Sequence, residues 1–560
     1  MKMNWGVTAS ALAVALCLAL GACSKQGHSN APAGGSSGSN GNGSSDASPV
    51  AGGTLKFGLS VEPPCLAPAY TGTIINYTVS RNVIDSLLYL EANGALTPWL
   101  AESYEVSSDD LTYTFKLRQG VTFSNGTAFN AAAAKANFDF VLDKANAANS
   151  LGILGSIGSV DAPDANTLVL KLKQRDAGLL QTLASVRAGF IEPSKLALKD
   201  KLCQSAKEII GTGPFVFTDY RPGQDITLVR NKDYNWPKAG GKHTGPAYLD
   251  KIVYSFLPDI SSRTAALQSN QVDAIDSVQS YDVPLFADDK KFQHIVGYDT
   301  STAFGFNLNA GKAPLDDINV RKALRDGFDL DAIVNSLYKG ARTRAWSWAG
   351  SDSPYYDASL KGSWGNKIDE ANKLLDASGW TTRDSDGYRT KDGKRLTVNV
   401  EYIAEAVRDQ RDTLIQSVAA ALKKNIGLDL QLHTPASGPF YDILGKGEYG
   451  IYPNIWTRAD YGNNITSYIV NWLYKYTAKS LPAEVADIAK LGQEATATID
   501  QDARKKILSE AQRKLVVDYA LYVPLTSGAF QLAASSKVHD IGFEPESLTV
   551  GSLYDVWIAK

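Results

Sequence analysis

The chain has 560 residues, of which 44% are hydrophobic and 21% charged, with a net charge of −3. That length suits two or three soluble domains with ordinary cores, and the lack of a basic excess or a Lys/Arg-rich run excludes a nucleic-acid binder. The 26 Tyr and 10 Trp are suggestive, because aromatic side chains pack cores and also line sites for flexible organic ligands.

Lys2 gives a short positive start, and Val7 to Leu20 is a nearly uncharged apolar run. It is shorter than the roughly 20 residues that span a bilayer and fits the h-region of a signal peptide. Leu20-Gly21-Ala22-Cys23 looks like the lipobox of bacterial lipoproteins, which implies cleavage before Cys23 and diacylglycerol on its sulfur. The alternative is an ordinary signal peptide with a chance cysteine. Lipid chains contribute about 0.8 kcal/mol per buried CH2, so two or three of them anchor durably. Ser24 to Gly52 is a Gly/Ser/Asn/Ala linker with too few apolar side chains to offset the entropy of ordering. Its Gly34-Gly35-Ser36-Ser37-Gly38 matches a nucleophile elbow in letters only, lacking the strand and helix that the motif requires.

Beyond the linker, Thr54–Leu59 reads as a strand, followed by the turn Glu62-Pro63-Pro64. Leu111 to Leu117 alternates like a half-buried strand, and Asn125-Gly126 marks a hairpin. Asn130 is placed to cap a helix over Ala131–Leu142, and Leu168–Leu172 is another strand. Ile252–Phe256, a helix from Arg263 to Ser269, and a helix from Val320 to Phe328 follow. Leu396–Tyr402, a helix from Asp412 to Lys424, Leu428–Leu432, an amphipathic helix around Ile507–Val516 and Ala520–Leu525 complete the series. Alternating strands and helices argue for α/β layers.

Cys17 leaves with the signal peptide and Cys23 takes the lipid on this reading, leaving Cys65 and Cys203. These form either one disulfide or two free thiols; the expectation is one disulfide. The five histidines are scattered, and no H-E-x-x-H, Cys-x-x-Cys or phosphate loop occurs. On these residues no catalytic residues, no cofactor and no metal ligands are expected.

The order of the segments carries a resemblance. "LAESYEVSSDDLTYTFKLRQGVTFSNGTAFNAAAAKANFDFVL" (Leu100 to Leu142), "GTGPFVFTDYRPGQDITLVRNKDYNW" (Gly211 to Trp236) and "SSRTAALQSNQVDAID" (Ser261 to Asp276) come first. "FNLNAGKAPLDDINVRKALRDGFDLDAIV" (Phe306 to Val334), "ALKKNIGLDLQLH" (Ala421 to His433) and "YGIYPNIWTRADYGN" (Tyr449 to Asn463) follow. Together they resemble the family 5 extracellular solute-binding proteins, the oligopeptide, dipeptide and nickel receptors of ABC importers. The resemblance implies a two-lobed α/β periplasmic-binding-protein (Venus flytrap) fold with an extra subdomain on lobe I. It implies a signal peptide over 1–22, a lipidated cysteine and linker over 23–52, lobe I over 53–303 and 523–560 with its subdomain at about 90–210, and lobe II over 304–522. The implied protein is a monomer, held by its lipid at the bacterial cell envelope, facing the periplasm or the outside. It hands a small solute, a peptide first, to ABC importer permease subunits. A nickel–chelator complex, another small organic solute, or a non-transport sensor or chaperone of the same fold are the alternatives.

In peptide binders of this family the region often reads W-x-x-D, with the aspartate pairing with the peptide ammonium. Here it reads Trp456-Thr457-Arg458-Ala459-Asp460, one residue longer. Asp460 is the implied amine anchor or a capping residue, and Arg458 meets a ligand carboxylate or is a surface charge. Lys446 is a loose match to a basic residue that peptide binders place before the preceding turn. Trp346, Trp348 and Tyr461 are candidate aromatic walls or packing residues. Glu62 and Tyr70 follow the first strand, where α/β sheets present ligand loops, and His433 sits at a strand end.

Overall fold

A computed structural model of the chain describes residues 48–70, 73–297, 299–403, 409–455, 465, 481–545 and 549–560. Cys23 and the signal region, and Trp456, Arg458, Asp460 and Tyr461, lie outside the described residues. From Pro49 onward the chain is a compact unit built on two large sheets.

The first sheet has seven strands in the order Phe292–Val296, Gln531–Ser535, Ala274–Asp276, Thr54–Leu59, Lys251–Phe256, Asp225–Arg230, Phe215–Arg221. Thr54–Leu59 is central and runs parallel to both of its neighbours, with Leu55, Phe57 and Leu59 fully buried. A parallel strand covered on both faces needs such apolar runs. The second sheet has five strands in the order Asp429–His433, Thr397–Glu401, Ile451–Asn454, Phe304–Leu308, Tyr522–Thr526. The first three run parallel and Phe304–Leu308 runs antiparallel to its two neighbours. Each sheet carries its own large apolar core, so the chain has two lobes.

The lobes are joined at two crossings, residues 297–303 outward and 527–530 back. Tyr522–Thr526 still pairs with Phe304–Leu308 in the second sheet. The return therefore falls after Thr526, a few residues beyond the boundary drawn at 523.

A four-stranded antiparallel sheet, Ala101–Val106, Thr112–Leu117, Thr167–Leu172, Ile157–Asp164 in spatial order, forms the subdomain and shares the first lobe's core. Its helix Ala131–Leu142 is capped by Asn130, whose Oδ1 accepts from the Ala133 N–H at 3.0 Å. Inside that helix the buried Asn137 side chain donates to the Ile191 carbonyl at 2.8 Å and accepts from the Ile191 N–H at 3.0 Å. It serves an irregular segment as a sheet partner would, so that no backbone group is buried unpaired. Cys65 and Cys203 are bonded at 2.06 Å across 138 residues of sequence, and the Leu66 N–H donates to the Cys203 carbonyl at 3.1 Å. The far end of the subdomain is thereby tied to the segment that follows the first strand.

Candidate functional site

Parallel α/β sheets place ligands outside the carboxyl ends of their strands. In the first lobe that edge is formed by Ser60, Asp276 and Ser277. The Asp276 carboxylate accepts from the Ser60 N–H at 2.6 Å and from its hydroxyl at 2.9 Å. Arg263, 2% exposed, donates to the Leu257 carbonyl at 2.7 Å and the Asp276 carbonyl at 3.2 Å. One guanidinium thus satisfies carbonyls at the ends of the two strands that flank Thr54–Leu59. In the second lobe the same edge carries Glu401 and His433, paired at 3.2 Å. Burial pushes the Glu401 carboxyl up, and the His433 charge opposes that.

The two edges face one another, because the loop following one touches the loop following the other. Ser280, four residues past Asp276, donates its N–H and its hydroxyl to Asp409 Oδ1, both at 3.1 Å. Asp409 stands just before the helix Arg411–Ile426 of the second lobe. Both residues are buried, and the Asp409 carboxylate also holds the buried Arg342. Arg342 Nη1 donates to the Ser527 carbonyl at 2.9 Å, so this inter-lobe contact is braced against the return crossing. A second contact joins the subdomain to the second lobe, from the Ala177 N–H to the Thr496 carbonyl at 2.8 Å.

The outward crossing is organised by Asp299, 3% exposed. Its carboxylate accepts from the Gly528 N–H at 2.9 Å and the Ser351 N–H at 3.1 Å, tying both crossings to the 350s loop. Burial pushes its carboxyl up in spite of these donors. Gly350 permits the arrangement, since a Cβ there would stand 2.2 Å from the Asp299 carbonyl oxygen.

Around the turn Pro68–Tyr70 the first lobe presents a small polar cluster. Tyr70 and Arg187 line one cavity of about 20 Å3. Arg187 donates to Asn149 Oδ1 at 2.6 Å, and the Ser150 N–H donates to the Ala69 carbonyl at 3.0 Å. The Tyr70 hydroxyl and Arg187 Nε are buried and have no hydrogen-bond partner among the described residues. No carboxylate pairs with Arg187 among those residues either. Burial raises the Tyr70 phenol and the Asp200 charge adds to the shift. The Arg187 Nε and the Tyr70 hydroxyl are thus two desolvated donors without an acceptor, which is costly in a folded core.

The structure brings few of the sequence-derived candidates together. Tyr70 stands at this cluster. Glu62 does not: its carboxylate accepts from the Tyr220 hydroxyl at 2.5 Å and the Gly223 N–H at 3.0 Å, which makes it a brace for the strand pair Phe215–Arg221 and Asp225–Arg230. Trp348, 1% exposed, belongs to the second lobe's core. Trp346 lies under the Arg344 guanidinium at 3.3 Å and edge-on to Trp364 at 5.6 Å, so its ring is used in packing. Arg187, Asp299, Ser280 and Asp409 were not singled out from the sequence. Arg187 is a lone cation in "LASVRAGF", and only that isolation hinted at it.

Residues 95–479 match the family model described as bacterial extracellular solute-binding proteins, family 5. The nickel-binding periplasmic protein of Escherichia coli is 28% identical over 488 residues, covering 84% of this chain and 89% of that protein. The probable D,D-dipeptide-binding periplasmic protein of the same organism is 25% identical over 507 residues, covering 88% and 92%. Among solved structures, a Brucella suis protein in complex with Fe(III)-EDTA superposes with a TM-score of 0.79 at 26% identity, covering 90% of this chain and 100% of that one. With the family model matching more than half of the chain, the chain belongs to the family 5 bacterial extracellular solute-binding proteins.

Proposed function

We propose that this chain captures a small solute carrying a carboxylate, a peptide first, between its lobes and delivers it to the permease of an ABC importer. The observation that carries this is the Arg187–Tyr70 cluster: a buried cation with Nε unpartnered and no carboxylate partner among the described residues, beside a buried hydroxyl in the same condition. A carboxylate supplies both missing acceptors, and charge-assisted bonds of this kind are roughly twice as strong as neutral ones. Trp456, Arg458, Asp460 and Tyr461 follow the strand Ile451–Asn454 and on this reading supply the second lobe's half, with Asp460 receiving the peptide ammonium. Cys23 carries the lipid that keeps the receptor at the envelope membrane, which raises its concentration near the permease without any new contact.

A metal–chelator complex is the second reading, favoured by the same cluster, since a polycarboxylate chelator presents the same oxygens. Among the described residues no three His, Cys, Asp or Glu side chains converge as metal ligands, so this cargo would bring its own.

The test is native mass spectrometry of the purified chain to weigh any retained solute, followed by calorimetry with unblocked di- to pentapeptides, their C-terminally amidated forms, and nickel–histidine and iron–EDTA chelates. Amidation is expected to weaken peptide binding tenfold or more, about 1.4 kcal/mol, and Arg187→Ala to abolish the difference. Equal affinity for free and amidated peptides, with chelates unbound, refutes the carboxylate reading. Chelates bound in preference to every peptide select the second one.

A further inference from the structure

A second cavity, of about 680 Å3, shares no residue with the Tyr70–Arg187 cluster. One wall is the subdomain, through Val106, Tyr113 and Leu180, and the other is the second lobe, through Tyr355, Ile499 and Gln501. Its size is within the range of small-molecule sites, about 300–1,000 Å3.

Three independent features give it chemistry. Val106 and Tyr113 are cross-strand partners and so share one face of the subdomain sheet. Val106 remains 38% exposed, one of few large apolar side chains left so among the described residues. Tyr113, 3% exposed, stands on the cavity wall, and Gln181 Oε1 on the same wall is buried without a hydrogen-bond partner among the described residues. Finally, the lining contains Glu91, Asp110, Asp176 and Asp352 and no lysine or arginine. Two of these are balanced from outside: Lys238 meets Glu91 at 2.6 Å and Arg175 meets Asp110 at 3.6 Å. Asp352 accepts the Asp299 N–H at 2.7 Å instead, and Asp176 accepts the Gly178 N–H at 3.0 Å among its contacts.

We infer that this cavity is a second binding site, for an organic amine with an apolar body. The ammonium donates to the Tyr113 hydroxyl oxygen and to the carboxylates beside it, while the body covers Val106, Leu180 and Ile499. The local potential has the right sign. Burial first, then the charges of Asp110 and Asp176, push the Tyr113 phenol up to about 12. The aspartate charges, the smaller part of that shift, favour an ammonium, whereas burial, the larger part, disfavours any ion that does not meet those carboxylates directly. A carboxylate ligand is rejected by the same charges, so this site and the Arg187 cluster select opposite functional groups.

Calorimetry on the full chain with three probes of one shape tests it: tryptamine, the neutral tryptophol and the anionic indole-3-propionate. Tryptamine is expected to bind, tryptophol at least tenfold more weakly, and the anion not at all. Val106→Trp, which fills the cavity from its exposed rim, is expected to abolish tryptamine binding. Asp110→Asn, on the exposed turn, should weaken it about threefold, the range of a solvent-screened charge. Thermal melts check that each variant folds, and Asp110→Asn carries the test if Val106→Trp does not. Absence of tryptamine binding, or tryptophol binding as tightly as tryptamine, overturns the inference. So does loss of tryptamine binding in Arg187→Ala with retention in Val106→Trp, which would place the amine in the cleft.

Discussion

Ser280→Ala is the cleanest probe of closure. The substitution removes a hydroxyl that donates to Asp409 Oδ1 at 3.1 Å and approaches Oδ2 at 3.3 Å, but leaves the Ser280 N–H bond at 3.1 Å in place. Ser280 and Asp409 are 6% and 8% exposed, so the lost bond is a charge-assisted one in a dry setting, worth about 1.5–3 kcal/mol when its acceptor is stranded. Asp409 keeps Arg342 and the backbone donor, so it is not stranded, and the net loss is nearer 1 kcal/mol, roughly a fivefold shift toward the open form. If opening parts the two loops, the cost falls on the closed state alone. Removing Asp409 itself is a poorer experiment: it would leave Arg342 buried without its anion, about 3–5 kcal/mol against the fold. Pulsed electron–electron distances between labels at Lys290 and Lys424, one on each lobe, read the populations directly. The variant should lose short distances, and its affinity for the retained solute should fall by the same factor, since affinity scales with the competent fraction. An unchanged distance distribution together with unchanged affinity would refute the role given to this contact.

Cys23→Ser should move the protein from the detergent phase to the aqueous phase in a cloud-point separation; native protein found in the aqueous phase with a free Cys23 thiol overturns the anchor. Cys65→Ser with Cys203→Ser opens a loop closed across 138 residues, for which the chain-entropy model gives up to about 5 kcal/mol; an unchanged urea midpoint would contradict it. Asp85 is fully buried, and desolvation raises its carboxyl from 3.8 to about 7, against the lowering effect of Thr212, Arg81 and Trp236. Folded Asp85 keeps its proton where the unfolded chain has already released it. Stability therefore falls as pH rises from about 4 to about 7, and Asp85→Asn should flatten that part of a urea-midpoint titration. A wild-type slope in the variant refutes the assignment.

What was legible in the sequence is what local physics repeats. Thr54–Leu59 and Ala131–Leu142 appear with the expected bounds, because a buried apolar run and an Asn cap are properties of neighbouring residues. The Asn125-Gly126 turn forms with Gly126 at φ +85° for the same reason. The pairs that bring the lobes together are separated by 129 residues in Ser280–Asp409 and by 229 in Asp299–Gly528. Neither aspartate differs in sequence from the ordinary capping aspartates Asp259, Asp317 and Asp329.

Aromatic residues are ambiguous for a related reason: Trp348 has the composition of a ligand wall and is packed in the second lobe's core, a placement that only burial reveals. Arg187 shows the converse. Its neighbours are apolar, which in a sequence suggests only a tolerated cation, yet burial of a guanidinium without an anion is costly unless something supplies the charge. Arg81, with Glu544 at 2.8 Å, Arg342, with Asp409, and Arg321, with Glu484 at 2.8 Å, show how this chain neutralises arginines buried for structure alone. Arg187, 8% exposed, pairs with no carboxylate among the described residues, and that departure is what the proposed ligand carboxylate would answer.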